Sequence, residues 1–183
     1  MREDISKVLL SEDDINALVS RLGAQISEDY KDKKLLMVSI LKGSVVFMAD
    51  LMRAISIPCE IDFMAVSSYG SDTKTSGEVK IIKDLDRRIE GYDLLIVEDI
   101  LDSGKTLHYI TDLLRARKPA SIRICTFLDK PDRRLVKELQ ADYVGTVVPD
   151  EFVVGYGLDY DEKYRNVPFL GVLDRSVYEK NTD

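Results

Sequence analysis

Histidine occurs once, at His108, and cysteine twice, at Cys59 and Cys125, in a chain of 183 residues. A single histidine and no Cys/His cluster argue against a zinc site. The two cysteines lie in or beside apolar, strand-like stretches. They are expected to be buried free thiols of a reduced compartment, not a disulfide framework. Long apolar runs are missing too, since none approaches the ~18–20 residues of a membrane span. The opening MREDISKVLLSEDD lacks the apolar centre and small-residue cleavage site of a signal peptide, and it is too acidic for a mitochondrial transit peptide. The expectation is a cytoplasmic protein that does not engage a membrane. Positive charge is also in deficit: 26 Lys and Arg face 33 Asp and Glu, for a net charge of −7. That balance argues against non-specific nucleic-acid binding, which needs a basic face. For a phosphorylated ligand it suggests an accompanying divalent cation.

What is present is ordinary for one globular domain with its own core, at 45% hydrophobic and 32% charged residues. No repeat, low-complexity segment or linker divides it. Ser11, followed three positions later by Asp14, predicts a capped helix start, and Ile15, Leu18, Val19, Leu22 and Ile26 continue at helical spacing to about Tyr30. Residues 35–41 (LLMVSIL) predict a buried strand, and 45–55 a helix. Residues 60–66 predict a further strand. Residues 67–78 (SSYGSDTKTSGE) are too small and polar to pack, and 79–85 offer a returning strand, so an antiparallel flap is expected around 67–79. Strands follow at 93–100, 121–128 and 143–148, with helices at 106–117 and 133–139. Short apolar elements close the chain at 152–154 and 169–173. Continuous apolar strands alternating with helices predict an α/β fold with a central, mostly parallel sheet flanked by helices. Ligands of such sheets sit beyond the carboxyl ends of the strands.

The most informative stretch is 97–106. An apolar strand ends in adjacent carboxylates, Glu98 and Asp99. Ile100 and Leu101 follow, and then Asp102-Ser103-Gly104-Lys105-Thr106 opens a helix. A turn of small residues at a helix start exposes N–H groups to an anion, and the helix dipole adds positive potential. Vicinal carboxylates suit the hydroxyls of a ribose, or a hydrated Mg²⁺ bridging to them. Two plainer readings compete. Gly104-Lys105-Thr106 fits the end of a P-loop, but the first glycine of that motif would fall at 99, where Asp99 would face the phosphates. An ordinary turn with Asp102 as helix cap leaves the two strand-end carboxylates unexplained, because buried charge is costly without a partner.

The order V-E-D-I-x-D-S-G-x-T resembles the phosphoribosyl-pyrophosphate signature of the type I phosphoribosyltransferases. A second stretch, residues 149–160 (PDEFVVGYGLDY), resembles the purine-binding hood of the hypoxanthine-guanine branch of that family almost position for position. The resemblance spans about residues 35–173. It implies one phosphoribosyltransferase domain over 1–183: a core at about 35–148, a hood at about 149–175 joined by the N-terminal segment, and a mobile flap. It also implies transfer of a phosphoribosyl group from 5-phosphoribosyl-1-pyrophosphate to hypoxanthine or guanine, giving IMP or GMP, with Mg²⁺ as cofactor and a homodimer or homotetramer as the assembly.

Site residues follow by resemblance. Leu41, Lys42 and Gly43 match a loop that binds pyrophosphate through its backbone, often with a cis peptide before the lysine. Ser68 and Tyr69 match a lid that excludes water; a plain surface loop is the alternative there. Glu98, Asp99, Ser103, Gly104, Lys105 and Thr106 would hold the sugar phosphate. Lys130, otherwise a solvated strand-end lysine, would donate to a purine 6-oxo group. Phe152 and Ile100 would sandwich the base, with the Val153 backbone at its pyrimidine edge and the Asp159 backbone near a guanine 2-amino group. Glu98, Asp99 and Asp159 would ligate metal, and Arg165 would contact pyrophosphate. Asp102 becomes the candidate general base, accepting a proton from purine N7. Two further functions stay open at this level: a regulator of the same fold that binds nucleic acid, and a transferase for xanthine or another base.

Overall fold

The computed structural model describes residues 1–68 and 79–179. Tyr69, expected to belong to a lid, lies outside the described residues, as do the rest of the segment to position 78 and the side chain of Ser68. Chain order gives β1 (Ile5–Leu10), α1 (Glu12–Asp29), β2 (Leu35–Leu41), α2 (Val45–Ala54), β3 (Glu60–Ser68), β4 (Val79–Lys83) and β5 (Asp93–Leu101). It continues with α3 (Lys105–Arg115), β6 (Ser121–Asp129), β7 (Tyr143–Val147), β8 (Val153–Val154), β9 (Leu170–Leu173) and α4 (Arg175–Tyr178).

Six strands form one sheet in the order β4-β3-β2-β5-β6-β7. All neighbours pair parallel except β3 and β4, which are antiparallel. The sequence period explains why this sheet is covered twice. Along β5, Leu95 and Val97 join a core with Leu22 and Ile26 of α1 and Phe47 and Leu51 of α2. The alternate residues Leu94 and Ile96 join a second core with Ile110 and Leu114 of α3. A strand apolar at every position is the signature of a sheet buried on both faces. The start of α1 is fixed by a capping box: Asp14 N–H donates to Ser11 Oγ at 3.2 Å, and Ser11 N–H donates to Asp14 Oδ2 at 2.8 Å. No helix among the described residues is long and apolar enough to cross a membrane.

A second, three-stranded antiparallel sheet has the order β1-β9-β8. It ties the first residues of the chain to the last part, around a small core that includes Val154, Val167 and Leu173.

Two sequence expectations fail. Residues 133–139 form no α-helix; a 3-10 turn at Pro131–Arg133 is followed by irregular chain. Tertiary bonds win there. The N–H groups of Leu135 and Val136 both donate to the Ser103 carbonyl, at 3.0 and 3.2 Å, instead of closing helical turns. Arg134 is buried and gives its guanidinium to the carbonyls of Leu101, Asp102 and Leu139 and to the Asp129 carboxylate. Cys125 is buried as expected, but Cys59 is partly exposed, because it lies in the turn before β3 and not within a strand.

Candidate active site

Three neighbouring parallel strands, β2, β5 and β6, end side by side at Leu41, Leu101 and Asp129. Each runs into a stretch that the sequence singled out, so the topology gathers them at one carboxyl edge.

The loop after β2 contains a cis peptide between Leu41 and Lys42. Ser44 anchors it from below: its hydroxyl lies 2.7 Å from Ser39 Oγ and donates to the Ile40 carbonyl. Lys42 reaches outward to Glu162 at 3.0 Å. Gly43 is needed for close approach, since a Cβ there would sit 1.7 Å from Asp99 Oδ2. The Gly157 backbone closes over the same loop, where a Cβ would lie 2.2 Å from the Gly43 carbonyl oxygen.

Glu98 and Asp99 sit at the end of β5. Burial pushes the Glu98 carboxyl well above its ordinary value, and the neighbouring Asp99 charge adds to this. Burial likewise raises Asp99 to about 6, against the pull of its hydrogen bonds and of Arg165. Asp99 Oδ1 accepts the Ile100 N–H at 2.8 Å. Two carboxyls held in so poor a solvent are short of positive partners.

The loop expected to hold phosphate turns on Gly104, the N-cap of α3, which adopts a left-handed conformation at φ 82°. A glycine cap has no side chain with which to accept from the first N–H groups of the helix, and those after Lys105 remain available to an anion. Ser103 Oγ accepts the Lys105 N–H at 3.4 Å. Lys105 itself points to solvent, Thr106 is partly buried, and α3 runs away beneath the core.

Beside this loop lies a pocket lined by Ile100, Asp102, Lys130, Phe152, Val153 and Asp159, joined by Asp99, Arg133 and Leu158. The base-side residues expected from the sequence are therefore brought together, while Ser103–Thr106 do not line this pocket. Lys130 is only 6% exposed, and its ammonium donates to the Glu151 carbonyl at 2.6 Å. Burial lowers its pKa, opposed by the charges of Asp102 and Asp150. An ammonium has three donors, so one anchoring bond leaves others for a ligand. Phe152 remains 40% exposed, although it belongs to an apolar stretch.

Arg165, expected to contact pyrophosphate, is tied to residues 157–162. It donates to the Gly157 carbonyl at 2.8 Å and pairs with Asp159 Oδ1 at 3.0 Å. Asp159 Oδ2 accepts the Glu162 N–H at 2.9 Å, so both of its oxygens are engaged. Among the described residues no three His, Cys, Asp or Glu side chains converge into a complete metal site. The chemistry nevertheless fits Mg²⁺, a hard ion that commonly binds through one or two carboxylates plus substrate phosphates and water.

The sequence reading missed Arg133, Arg134 and Tyr178. Arg133 lines the pocket and pairs with both Asp102 and Asp150. Arg134 holds the loop backbone from below. Tyr178 stacks on Phe152 from the far side. Nothing in the local pattern marks the two arginines. Tyr178 is an aromatic residue in a polar tail, a weak signal that only the fold interprets.

The chain is similar to known proteins along most of its length. The sequence pattern of the phosphoribosyl transferase domain matches residues 8–161. The hypoxanthine-guanine phosphoribosyltransferase of Bacillus subtilis is 56% identical over 179 residues, covering 98% of this chain and 99% of that protein. That of Staphylococcus epidermidis is 56% identical over 180 residues, covering 98% of this chain and 100% of its own length. A crystal structure of a hypoxanthine phosphoribosyltransferase from Staphylococcus aureus superposes with a TM-score of 0.94 at 54% identity, over 97% of this chain and 96% of that one. With a family pattern over most of its length, close full-length relatives and the fold in common, this chain belongs to the phosphoribosyltransferase family, in the group of the hypoxanthine-guanine enzymes.

Proposed function

We propose that this chain transfers the 5-phosphoribosyl group from 5-phosphoribosyl-1-pyrophosphate to hypoxanthine or guanine, releasing IMP or GMP and pyrophosphate. The observation that carries this reading is the meeting of Asp102, Lys130 and Phe152 in one pocket beside the Glu98-Asp99 strand end. A carboxylate, an ammonium and an aromatic face are the groups needed to deprotonate, polarise and stack a 6-oxopurine.

The core supplies the donor half of the site and residues 149–175, with the N-terminal segment, the base half. Purine N9 attacks the anomeric carbon, whose bond to the pyrophosphate oxygen breaks, and the electron pair leaves with pyrophosphate. Positive charge develops on the ribose. Glu98 and Asp99 place negative charge near it and orient the hydroxyls. The phosphate loop holds the 5′-phosphate through Ser103, Gly104, Lys105 and Thr106. Residues Leu41–Gly43 and Arg165 meet the pyrophosphate, for which a guanidinium fork is well shaped. Asp102 accepts the proton lost from N7, and Lys130 offsets the charge building on the 6-oxo group. Ile100 and Phe152 cover the two faces of the base. Glu98 and Asp99, with Asp159 on the pyrophosphate side, would hold Mg²⁺, which when bound would supply positive charge to offset that of pyrophosphate. Ser68 and Tyr69 serve as a lid against hydrolysis. The chain is read as a cytoplasmic homodimer or homotetramer, which light scattering of the purified protein tests.

One assay decides the reaction. Purified protein, Mg²⁺ and the sugar donor are mixed with hypoxanthine, guanine, xanthine or adenine in turn, and nucleotide formation is followed with and without a chelator. Nucleotide from hypoxanthine or guanine, lost on chelation, supports the reading. Nucleotide from adenine alone, or from none of the bases, removes it.

A further inference from the structure

Phe152 is the residue expected to stack on the purine, yet a ring left 40% exposed has little around it to fix its plane. The short helix α4 provides what is missing. Tyr178 stacks on Phe152 with ring centroids 5.4 Å apart and planes inclined by 30°. Tyr160 meets the same ring edge-on, at 5.6 Å and 88°. Tyr178 and Tyr160 themselves touch at 6.3 Å and 59°. Phe152 lines the base pocket on one side and a second depression, together with Tyr178 and Asp174, on the other. The ring is thus a partition with the base pocket before it and Tyr178 behind it.

The placement of α4 is itself fixed. Asp174 caps the helix, its carboxylate accepting the Ser176 N–H at 2.9 Å. The Asp174 N–H donates to the Asp4 carbonyl at 2.8 Å. The Leu173 N–H donates to the Phe152 carbonyl at 2.8 Å, so the strand leading into α4 is hydrogen-bonded to Phe152 itself. Tyr178 therefore approaches the ring from a frame that shares its backbone.

We infer that Tyr178 is a positioning residue for base binding: by stacking behind Phe152 it makes the purine the outer layer of a three-ring stack. The inference rests on the proposed function for the identity of that outer layer. Stacked rings fix one another's planes, and such a pair contributes beyond its buried area. A platform held flat before the base arrives also loses less side-chain freedom on binding. The ring contacts of Tyr178 are with Phe152 and Tyr160, so its influence is expected on the base side of the site.

The test compares steady-state KM values for hypoxanthine or guanine and for the sugar donor in Tyr178→Ala, Tyr178→Phe and wild type. The expected result for Tyr178→Ala is a base KM raised about three- to tenfold, the size of one aromatic pair, with the donor KM and the pH profile unchanged. Tyr178→Phe keeps the stack and behaves as wild type. An unchanged base KM in Tyr178→Ala overturns the inference, and so does a joint rise of both KM values, which is the mark of general loosening. If Tyr178→Ala fails to fold, Tyr178→Leu fills the space without a flat face and is judged by the same criteria. Wild-type turnover is the control: its absence defeats the functional reading, whereas normal wild-type turnover with an indifferent Tyr178→Ala defeats only this inference.

Discussion

The Nε of Arg133 lies 3.4 Å from Oδ1 of Asp102, and the Nη1 of the same side chain lies 3.3 Å from Oδ1 of Asp150. One guanidinium thus bridges the start of the phosphate loop and the start of the hood. Oδ1 of Asp102 is buried and finds no hydrogen bond among the described residues, while the side chain as a whole is 42% exposed. Arg133 therefore covers one carboxylate oxygen and leaves the rest of the group facing the pocket.

If that contact orients the general base, its loss lowers turnover without abolishing it. Exposed ion pairs contribute up to ~1 kcal/mol, which corresponds to about a fivefold fall in kcat for Arg133→Ala. Arg133→Lys keeps charge but not the fork that spans both aspartates, so it lands between the two. Steady-state kinetics at saturating donor measure this. Wild-type kcat in Arg133→Ala would show that Asp102 holds its orientation unaided.

Asp102 carries the larger effect. Asp102→Asn retains size and polarity and removes the proton acceptor, so turnover should fall by on the order of 10²-fold, within the range for loss of a general base. Donor binding should change little, because the residues proposed to hold the 5′-phosphate are Ser103, Gly104, Lys105 and Thr106, which Asp102→Asn leaves in place. Calorimetric titration with the donor and a turnover assay on the same preparation separate the two quantities. Unchanged turnover would remove Asp102 from the role.

The stretch expected to hold the sugar phosphate stands out in the sequence because its residues are consecutive, unlike Leu41–Gly43 and Arg165, which come from other parts of the chain. Glu98 to Thr106 run from one strand end into one helix start, and their chemical order survives without the fold. The parallel strands are legible for a related reason: β2 and β5 are buried on both faces, and their apolar runs show it. Arg134 was not legible. Its partners are the carbonyls of Leu101, Asp102 and Leu139, brought together only when β5 and β6 pair. Beside it, the bonds from the Leu135 and Val136 N–H groups to the Ser103 carbonyl replace the helix expected at 133–139. Strand β1 hid for another reason, since most of Ile5–Leu10 is exposed or half-buried and its pairing with β9 is irregular, so no clean alternation appears.

Lys130 gives a prediction about selectivity. Its ammonium is buried and tied to the Glu151 carbonyl, so the charge is presented from a fixed point. Lys130→Met keeps much of the stem and removes every donor. A hydrogen bond to a charged group is worth about 1.5–3 kcal/mol, or on the order of 10- to 100-fold in the KM for hypoxanthine. The donor KM should move far less. Competition by adenine should rise relative to hypoxanthine, because the group that distinguishes an oxo from an amino substituent is gone. Parallel inhibition curves test this, and equal losses for both bases would assign Lys130 to packing alone.

Gly43 tests whether the pyrophosphate loop and the carboxylate pair act as one unit. An added methyl group at this position would start 1.7 Å from Asp99 Oδ2, far inside contact distance, and so one of the two must move. The loop has little room to retreat, because the Gly157 backbone covers the Gly43 carbonyl and Ser44 is pinned to Ser39 and Ile40. Asp99 is held by the Ile100 N–H through its other oxygen. Overpacking of this kind costs about 1–3 kcal/mol, so Gly43→Ala should fold with its Tm lowered by several degrees. Its kcat/KM for the sugar donor should fall much further, on the order of 10²-fold, because misplacing the groups that position a substrate is disproportionately harmful. The base KM, set in the pocket around Lys130 and Phe152, should be nearly unaffected. Thermal melts and donor kinetics on Gly43→Ala decide the matter. A folded variant with wild-type donor kinetics would mean that the contact between Gly43 and Asp99 relaxes freely and does not join the two halves of the donor site.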